Sequence, residues 1–488
     1  MDDAVSPLSR SLIKDTWIYG FGTLLSRAVG IVLIPLYTRY LSVENYGALA
    51  LLNIIVQNVA FICLLGVSTA AMRSYFDVGA DAAHRGQVYG TATLLLILFP
   101  PLVLLVLGPI AWLLTTRYVP SLPFFPFVFV VLLTGLFAPL IKLLVGLLRV
   151  QRKPVAFVTF NIAFVLVQTV AVILALTVLN AGLRGQVYSQ LLANGVFAGV
   201  ALLLLRRHAA PGLSWPLARR LLAYGLPLVP FFIFLWIYEA SARFMLDHYV
   251  DLQSVGIFAL AGQFSGLLLI TATALDNAML PHFLERAGEA GGGEALGTIV
   301  LNYLAFLGLL ALPIIILASP AIQLLTTPAY HAASGYVAPL VLAAFLFAAR
   351  TPVAWSMNHS RRSGLLSTVN GVAAGLLIGL LYLFLGPLKL GIPGVAYAMI
   401  ASSAITILLG YAVAYQSFAL EIPLKRLALI SVVLLTGGRL IAWLRPDHPD
   451  LGIIALQTLV FIGVALATLR IAGIRNPLQW LGIRARRA

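Results

Sequence analysis

The sequence predicts an all-α, polytopic membrane protein with about 14 transmembrane helices, arranged as two pseudo-symmetric six-helix bundles plus two C-terminal helices. Of the 488 residues, 61% are hydrophobic and only 10% are charged, whereas a soluble domain carries about 25% charged residues. Apolar runs of roughly 20 residues, the length that crosses a bilayer core, follow one another along the chain. Because these runs are continuous rather than alternating, they favour helices over a barrel.

Each predicted helix corresponds to one apolar run. The predicted helices are 12–37, 45–72, 86–115, 122–148, 155–180, 184–205, 219–247, 253–283, 295–318, 335–358, 364–386, 392–417, 425–444 and 452–471. Basic residues are concentrated in every second connection, so the positive-inside rule predicts that both termini are cytoplasmic. The same rule accounts for the net charge of +15 without a nucleic-acid partner. No cleavable signal is expected before the first span.

An internal repeat predicts the two bundles. A shift of 209 residues places Gly47 on Gly256, Asn161 on Asn370 and Gly185 on Gly394. Each copy contains an even number of helices, so the copies share one orientation and are related by an axis along the membrane normal. Parallel repeats are typical of alternating-access carriers, and a duplicated structural bundle without transport is the alternative. The expected domains are an N-terminal bundle at 1–210, a C-terminal bundle at 211–420, and two helices with a basic tail at 421–488.

Polar stripes on the first two helices are candidates for substrate binding. Tyr19, Thr23 and Arg27 follow at four-residue intervals, so they share one face of the first helix. Asn53 and Gln57 form a similar pair in the second helix. Ionisable groups inside a span are costly, and they usually face a protein interior or a water-filled cavity. Both stripes therefore predict walls of an aqueous cavity.

Three more cations within spans are candidates for binding an anion. Lys142 and Arg350 are nearly equivalent in the two copies, because the 209-residue shift takes position 142 to 351. Each copy is thus expected to present one cation to the cleft, although Lys142 has the alternative of snorkelling to the membrane interface. Arg243 lies in helix 7. Arg and Lys together suit an anionic substrate such as a pyrophosphate.

Carboxylates within the spans are candidates for ion coupling. Glu239 and Asp247 flank Arg243 at four-residue spacing, so a self-neutralising salt-bridge ladder is the alternative to a functional role. Asp276 in helix 8 is a candidate for coupling to a proton or sodium gradient, and paired packing beside a cation is its alternative. The scattered histidines and the single cysteine predict neither a metal site nor a cofactor.

Residues 17–51 and 65–76 contain short elements that occur together in one family. The elements are Tyr19-Gly20, Ser26-Arg27 with Gly30, the segment PLYTRYLS at 35–42, Tyr46-Gly47 and the stretch LGVSTAAMRSYF. Together they resemble the polysaccharide flippase branch of the multidrug/oligosaccharidyl-lipid/polysaccharide exporter superfamily. The resemblance implies a cationic central cavity that holds a pyrophosphate-sugar head group. It also implies that Arg27 is the helix-1 arginine lining that cavity.

The resemblance implies a flippase that moves undecaprenyl-pyrophosphate-linked oligosaccharide from the cytoplasmic to the periplasmic leaflet of a bacterial inner membrane. The product would be lipopolysaccharide O-antigen, capsule or exopolysaccharide. A peptidoglycan-precursor flippase and a drug/cation antiporter of the same superfamily are alternatives, and the antiporter would favour acidic cavity residues. No connection is long enough to form a periplasmic catalytic domain, so an enzyme is not expected. The expected partners are the lipid-linked oligosaccharide, membrane lipids, a polysaccharide polymerase and chain-length proteins, with the carrier itself a monomer.

Overall fold

The computed structural model describes residues 29–76, 81–226, 229–287, 293–359, 363–417, 424–444 and 451–472. Over these residues the regular secondary structure is helical and no strand occurs. Within the same residues, 11 helices are long and apolar enough to cross a membrane. Each corresponds to one predicted span, and the predicted all-α, multi-spanning fold is confirmed. Three of the 14 predicted spans are not among these 11 helices. The span 12–37 is described only from residue 29, and the spans 219–247 and 425–444 carry several charged residues.

Contacts divide the chain into two compact units, Met1–Gly256 and Ile257–Ala488. In the first unit the described helices are α1 (Ile34–Tyr40), α2 (Val43–Leu64), α3 (Val67–Ser74), α4 (Ala82–Tyr118), α5 (Phe129–Val150), α6 (Pro154–Thr177), α7 (Gly182–Arg206), α8 (Trp215–Gly225) and α9 (Val229–Tyr249). Side chains cap two of them, because Ser42 and Asp81 accept hydrogen bonds from backbone N–H groups in the first turns of α2 and α4. Helix α8 packs on α3 and α4, and α9 packs on α2.

Helix α5 lies at the centre of the first unit, where it packs against α2 and α7. Small residues let these helices approach closely. A Cβ added to Gly135 would lie 2.6 Å from the Val59 side chain, and one added to Gly146 would lie 2.8 Å from the sulfur of Met72. Helix α5 is therefore packed tightly against α2 and α3 at these two positions.

The second unit has its own helical core. Its described helices are α10 (Leu252–Ala287, which begins in the last residues of the first unit), α11 (Gly293–Leu325), α12 (Ser334–Ala348), α13 (Thr351–His359), α14 (Ser363–Leu385), α15 (Gly391–Ser417), α16 (Leu424–Trp443) and α17 (Leu451–Ala472). Helix α15 packs on α12, α13 and α14. The two C-terminal helices, α16 and α17, pack on each other and on α11 through Leu301, Ile430 and Ile441.

The connections before α7 and before α15 have the same backbone geometry, as the internal repeat predicts. Asn180 and Lys389, related by 209 residues, both have φ of 47°. Gly182 and Gly391, equally related, have φ of 51° and 60°. Matching backbone hydrogen bonds close the two turns: Ala181 N–H to Ala175 C=O at 2.9 Å, and Leu390 N–H to Phe384 C=O at 2.9 Å. The repeat is thus visible inside each unit as an equivalent turn.

Two predicted helices are interrupted within the described residues. The helix predicted at 45–72 ends at Leu64, because Leu65 and Gly66 adopt left-handed conformations with φ of 48° and 66°. The helix predicted at 335–358 is divided into α12 and α13 at residues 349–350. The predicted boundaries of these two helices were wrong. The segment predicted at 219–247 contains α8 and α9, and residues 227–228 between them lie outside the described residues. The predicted domain boundaries at 210 and 420 stay predictions.

Candidate functional site

The polar stripe predicted on the first helix, made of Tyr19, Thr23 and Arg27, lies outside the described residues. Within them, polar and charged side chains occur inside the helical packing of both units.

The first unit contains an interior polar cluster made of Tyr37, Tyr46, Asn53, Gln186 and Gln190. The Gln190 Nε2 donates to Asn53 Oδ1 at 2.9 Å, which joins α7 to α2. Gln186, which is 1% exposed, forms a side-chain hydrogen bond with Tyr37. The rings of Tyr37 and Tyr46 lie 6.3 Å apart. Three helices thus contribute amide and hydroxyl groups to one layer, of the kind that can bind sugar hydroxyls.

Helix α9 carries the predicted charged ladder, and its three members have different surroundings. The half-buried Arg243 lies within electrostatic reach of Glu239 and of Tyr46, so its guanidinium borders the interior polar cluster. Glu239 is exposed. Asp247 is buried and accepts a hydrogen bond from the Ser121 hydroxyl at 2.6 Å. Asp247 therefore ties the end of α9 to the connection after α4.

Lys142 lies in the continuous helix α5. Its ammonium group lies 3.9 Å from the centroid of the Phe61 ring on α2, within the distance of a cation–π interaction. Its backbone carbonyl accepts a hydrogen bond from Ser68 at 3.3 Å. Phe61 follows Asn53 by eight residues, which is about 12 Å along a helix. Gln57, the other predicted polar residue of α2, lies between them and is exposed.

Arg350 lies at the break between α12 and α13 in the second unit. Its Nη2 donates to Asn370 Oδ1 at 2.9 Å, and its guanidinium lies 4.4 Å from the Phe347 ring centroid. Lys142 and Arg350, nearly equivalent in the repeat, thus both lie against a phenylalanine ring. The equivalent of Asn370 is Asn161, which donates instead to Phe157 of its own helix. Among the described residues, the hydrogen bond between the cation and the asparagine therefore occurs only in the second copy, as Arg350–Asn370.

The break beside Arg350 coincides with a missing backbone donor. In a continuous helix the Ala348 carbonyl would accept from the backbone nitrogen of residue 352, but Pro352 has no N–H. The Tyr303 hydroxyl of α11 donates to that carbonyl at 3.2 Å. In a membrane, broken backbone is tolerated where such partners are available. Tyr303 therefore supplies the hydrogen bond that Pro352 removes.

Asp276 lies one helix away in the same unit. The Trp355 indole N–H of α13 donates to its carboxylate at 2.5 Å. Trp355 is 2% exposed, and its ring packs against Phe283 and Tyr303, with centroids 5.4 and 5.3 Å away. The Asp276 carboxylate is thus hydrogen-bonded to the Trp355 indole. The Trp355 ring in turn contacts Tyr303, the tyrosine that bonds the carbonyl at the helix break.

No group of three or more His, Cys, Asp or Glu side chains that could hold a metal ion occurs among the described residues. The polar groups of the described helices are instead amides, hydroxyls and separated charges. Such a set can bind an anion and the hydroxyl groups attached to it.

A family model described as "Polysaccharide biosynthesis protein" matches residues 36–334, well over half of the chain. The chain belongs to the polysaccharide biosynthesis protein family. The match covers α1 to α11, and with them the interior polar cluster, Lys142, Arg243 and Asp276. No curated protein matches the chain.

Solved structures match the fold of this polysaccharide biosynthesis protein over most of its length. A structure titled "Lipid II flippase MurJ, inward closed conformation" is 15% identical with a TM-score of 0.71, and the match covers 95% of this chain and 99% of that one. An inward-facing multidrug resistance MATE family transporter is 16% identical with a TM-score of 0.66, covering 81% and 94%. A mutant of the Vibrio cholerae MATE transporter VcmN is 15% identical with a TM-score of 0.54, covering 85% and 98%. The family match confirms the predicted polysaccharide biosynthesis family, and the likeness to these solved structures confirms the predicted fold.

Sequence reasoning missed several polar residues of this polysaccharide biosynthesis protein. Gln186 and Gln190 are four residues apart within an apolar span, the same pattern that identified Asn53 and Gln57, and that pattern was sufficient to find them. Tyr303 shows no comparable signal, because a tyrosine in an apolar helix is unremarkable until its partner carbonyl is known.

Proposed function

We propose that this protein is a flippase that moves an undecaprenyl-pyrophosphate-linked oligosaccharide from the cytoplasmic to the periplasmic leaflet of a bacterial inner membrane by alternating access. The observation that carries the proposal is the family match, since a polysaccharide biosynthesis protein with a transporter fold has a lipid-linked sugar as its natural cargo. The fold likeness to a protein titled lipid II flippase, over 95% of the chain, supports the same class of substrate.

The cations within the spans support an anionic head group. Lys142, Arg243 and Arg350 are half-buried in the described helices, and Arg27 completes the proposed set. Arginine binds phosphate through two parallel hydrogen bonds, whereas lysine acts as a compact point charge. In the proposed mechanism these cations bind the pyrophosphate, and the interior polar cluster binds sugar hydroxyls.

Asp276 is proposed as the residue that couples transport to a proton or sodium gradient, with Glu239 and Asp247 as further candidates. Its carboxylate lies beside the helix break and shares Trp355 with it, so a change in its charge acts directly on α13. An inside-negative potential favours outward movement of an anion by about 2.3 kcal/mol per charge per 100 mV. Asp276→Asn is expected to change the dependence of transport on the gradient, and an unchanged dependence on both ions would remove Asp276 from the mechanism.

The remaining parts of the proposal concern setting and partners. The protein acts as a carrier rather than an enzyme, as a monomer with both termini in the cytoplasm, and delivers its cargo to a polysaccharide polymerase and chain-length proteins. Reporter fusions test the orientation: a reporter joined after Arg207 is expected to be cytoplasmic, and one joined after Lys389 periplasmic. The reverse pattern would contradict the orientation.

Reconstitution tests the function directly. The purified protein is placed in liposomes with a fluorescent undecaprenyl-pyrophosphate oligosaccharide, and the label reaching the far leaflet is quenched by an impermeant reductant. Lys142→Gln and Arg27→Ala are expected to slow transfer about 10- to 100-fold, since a hydrogen bond to a charged group contributes about 1.5–3 kcal/mol. Arg439→Gln is the matched control, an exposed intramembrane arginine outside the repeat. Equal rates in all three variants would refute the proposed site.

A peptidoglycan-precursor flippase is the second candidate, favoured by the likeness to the structure titled lipid II flippase. The same liposomes distinguish the two, because lipid II replaces the oligosaccharide lipid in a parallel arm. Faster transfer of lipid II would favour this candidate. Transfer of an organic cation and of neither lipid would instead indicate an antiporter.

A further inference from the structure

The surface of the first unit contains an apolar groove of about 800 Å³ between α6 and α7. Its walls include Ala156, Thr159, Phe160, Phe197, Val200 and Leu204, and Lys153 lies at one end. Phe160 and Phe197 form the buried floor, with ring centroids 5.4 Å apart. The volume lies within the range of cavities that hold small organic ligands, roughly 300–1,000 Å³.

The groove opens onto the exposed surface of α6 and α7. Val155 is 69% exposed, and Leu166, Val170 and Val200 are exposed on the same two helices. In a membrane such a surface contacts lipid, so the chemistry of the groove suits an acyl chain. Along α7, the groove residues Phe197 and Leu204 follow Gln190 of the interior polar cluster by seven and 14 residues, or about 10 and 21 Å of helix.

Basic residues of both helices meet at one end of the groove. Ser189 of α7 donates to the Ala171 carbonyl of α6 at 3.1 Å, which fixes the register of this antiparallel pair. Pro154 lies 17 residues before Ala171, and Arg206 lies 17 residues after Ser189, so the start of α6 is opposite the end of α7. Lys153 and Arg152 therefore lie at the same end of the bundle as Arg206 and Arg207, and all four are exposed.

The chain carries the carboxylate of Asp81 just before α4, where it accepts a hydrogen bond from the His84 N–H. From residue 82 to residue 238 the chain contains 11 Arg and Lys residues and no Asp or Glu. Lysine and arginine side chains bury their apolar stems along a membrane surface and extend their charges to the head-group layer. Clustered basic residues beside transmembrane helices bind anionic lipid head groups.

We propose that the α6–α7 groove binds an anionic glycerophospholipid, with an acyl chain between Phe160 and Phe197 and the phosphate at Arg152, Lys153 and Arg206. The occupant is a glycerophospholipid of the membrane rather than the lipid-linked sugar, because the groove lining offers one hydroxyl, that of Thr159, and no side-chain amide that could bind sugar. Its charge is negative because Arg152, Lys153, Arg206 and Arg207 are all exposed cations. The site is independent of the proposed transport function.

Native mass spectrometry of the full chain in nanodiscs tests the site. The nanodiscs contain phosphatidylglycerol and phosphatidylethanolamine in equal amounts, and the lipid retained on the protein is counted. The parent protein is expected to retain phosphatidylglycerol preferentially. The triple variant Arg152→Gln, Lys153→Gln, Arg206→Gln is expected to lose that retention about 10-fold. The matched control removes two exposed charges elsewhere, Arg117→Gln with Arg184→Gln, and is expected to retain the lipid.

A second variant keeps the test independent of the rim. Thr159→Trp fills the exposed mouth of the groove without removing a charge, and it is expected to displace the bound lipid while the protein stays monodisperse. The proposal is overturned by equal retention of both phospholipids in the parent. It is also overturned by undiminished phosphatidylglycerol in the triple variant or in Thr159→Trp, or by displacement of that lipid when undecaprenyl pyrophosphate is added.

Discussion

Tyr303→Phe is the perturbation for which the structure gives the sharpest energetic prediction. The substitution removes one hydroxyl and leaves the aromatic ring, which is fully buried against Trp355. The Ala348 carbonyl then loses the donor that replaces the missing N–H of Pro352. Leaving a buried carbonyl without a hydrogen bond costs about 1–3 kcal/mol, so the free energy of unfolding is expected to fall by that amount. The hydroxyl also bonds the Thr351 side chain, which places the expected loss toward the upper part of the range.

A double-mutant cycle isolates the contribution of the carbonyl. Pro352→Ala restores a backbone N–H at the position where a continuous helix would donate to Ala348. Tyr303→Phe is therefore expected to cost about 1 kcal/mol less in the Pro352→Ala background than in the parent. The free energies are measured by reversible unfolding in mixed micelles. Tyr411→Phe is the matched control, because that buried hydroxyl has no hydrogen-bond partner among the described residues.

Two results would refute this account of the helix break. One is a cost of Tyr303→Phe that is the same in both backgrounds, which would mean that the hydroxyl and Pro352 act independently. The other is an equal cost for Tyr411→Phe, which would mean that removing any buried hydroxyl in this region has the same effect.

Three further predictions concern packing and the polar residues. Gly47→Ala is expected to lower the free energy of unfolding by about 1–3 kcal/mol, because the added Cβ would collide with backbone atoms of Leu252. Gly262→Ala is the control and is expected to be neutral or stabilising, because no atom lies within 4 Å of its added Cβ. Equal effects of the two substitutions would contradict the close approach at Gly47. Gln190→Leu is expected to lower the free energy of unfolding by only about 0.6–1.7 kcal/mol, but to slow lipid transfer at least about 10-fold. Unchanged transfer would mean that the interior polar cluster only packs the helices and does not bind the substrate. Asp276→Leu is expected to lower the free energy of unfolding by about 1–3 kcal/mol by removing the acceptor of the Trp355 indole, and a variant as stable as the parent would contradict that bond.

The membrane-spanning fold was predictable because hydrophobic length is a direct physical requirement of a bilayer. The repeat was predictable where the backbone requires unusual conformations, as at Gly182 and Gly391, whose positive φ values suit glycine. Lys389 shows the limit of this signal. It has the same φ as Asn180 in the equivalent turn, although lysine is not a residue that the turn would suggest.

The interruption of predicted helices was not predictable from proline alone. Pro100 and Pro101 lie inside the continuous helix α4, and Pro139 lies inside the continuous helix α5. At Pro352 the helix is broken, and the Tyr303 hydroxyl of α11 donates to the Ala348 carbonyl, which has no backbone N–H partner at residue 352. Whether a proline breaks a helix therefore depends on tertiary partners that are distant in the sequence. The same limit applies to Gln190 and Asn53, which are 137 positions apart.

The break between α12 and α13 has a mechanical consequence. Near the equivalent place in the other copy, α5 is a continuous rod, so bending there would stretch a whole ladder of backbone hydrogen bonds. The second copy has a joint instead, and Arg350 lies in it. A small rotation at such a joint moves the guanidinium of Arg350 and breaks few backbone hydrogen bonds. Stiffness is thus distributed unequally between the two copies of the repeat, because the cation of the first lies on a continuous helix and the cation of the second lies at a joint.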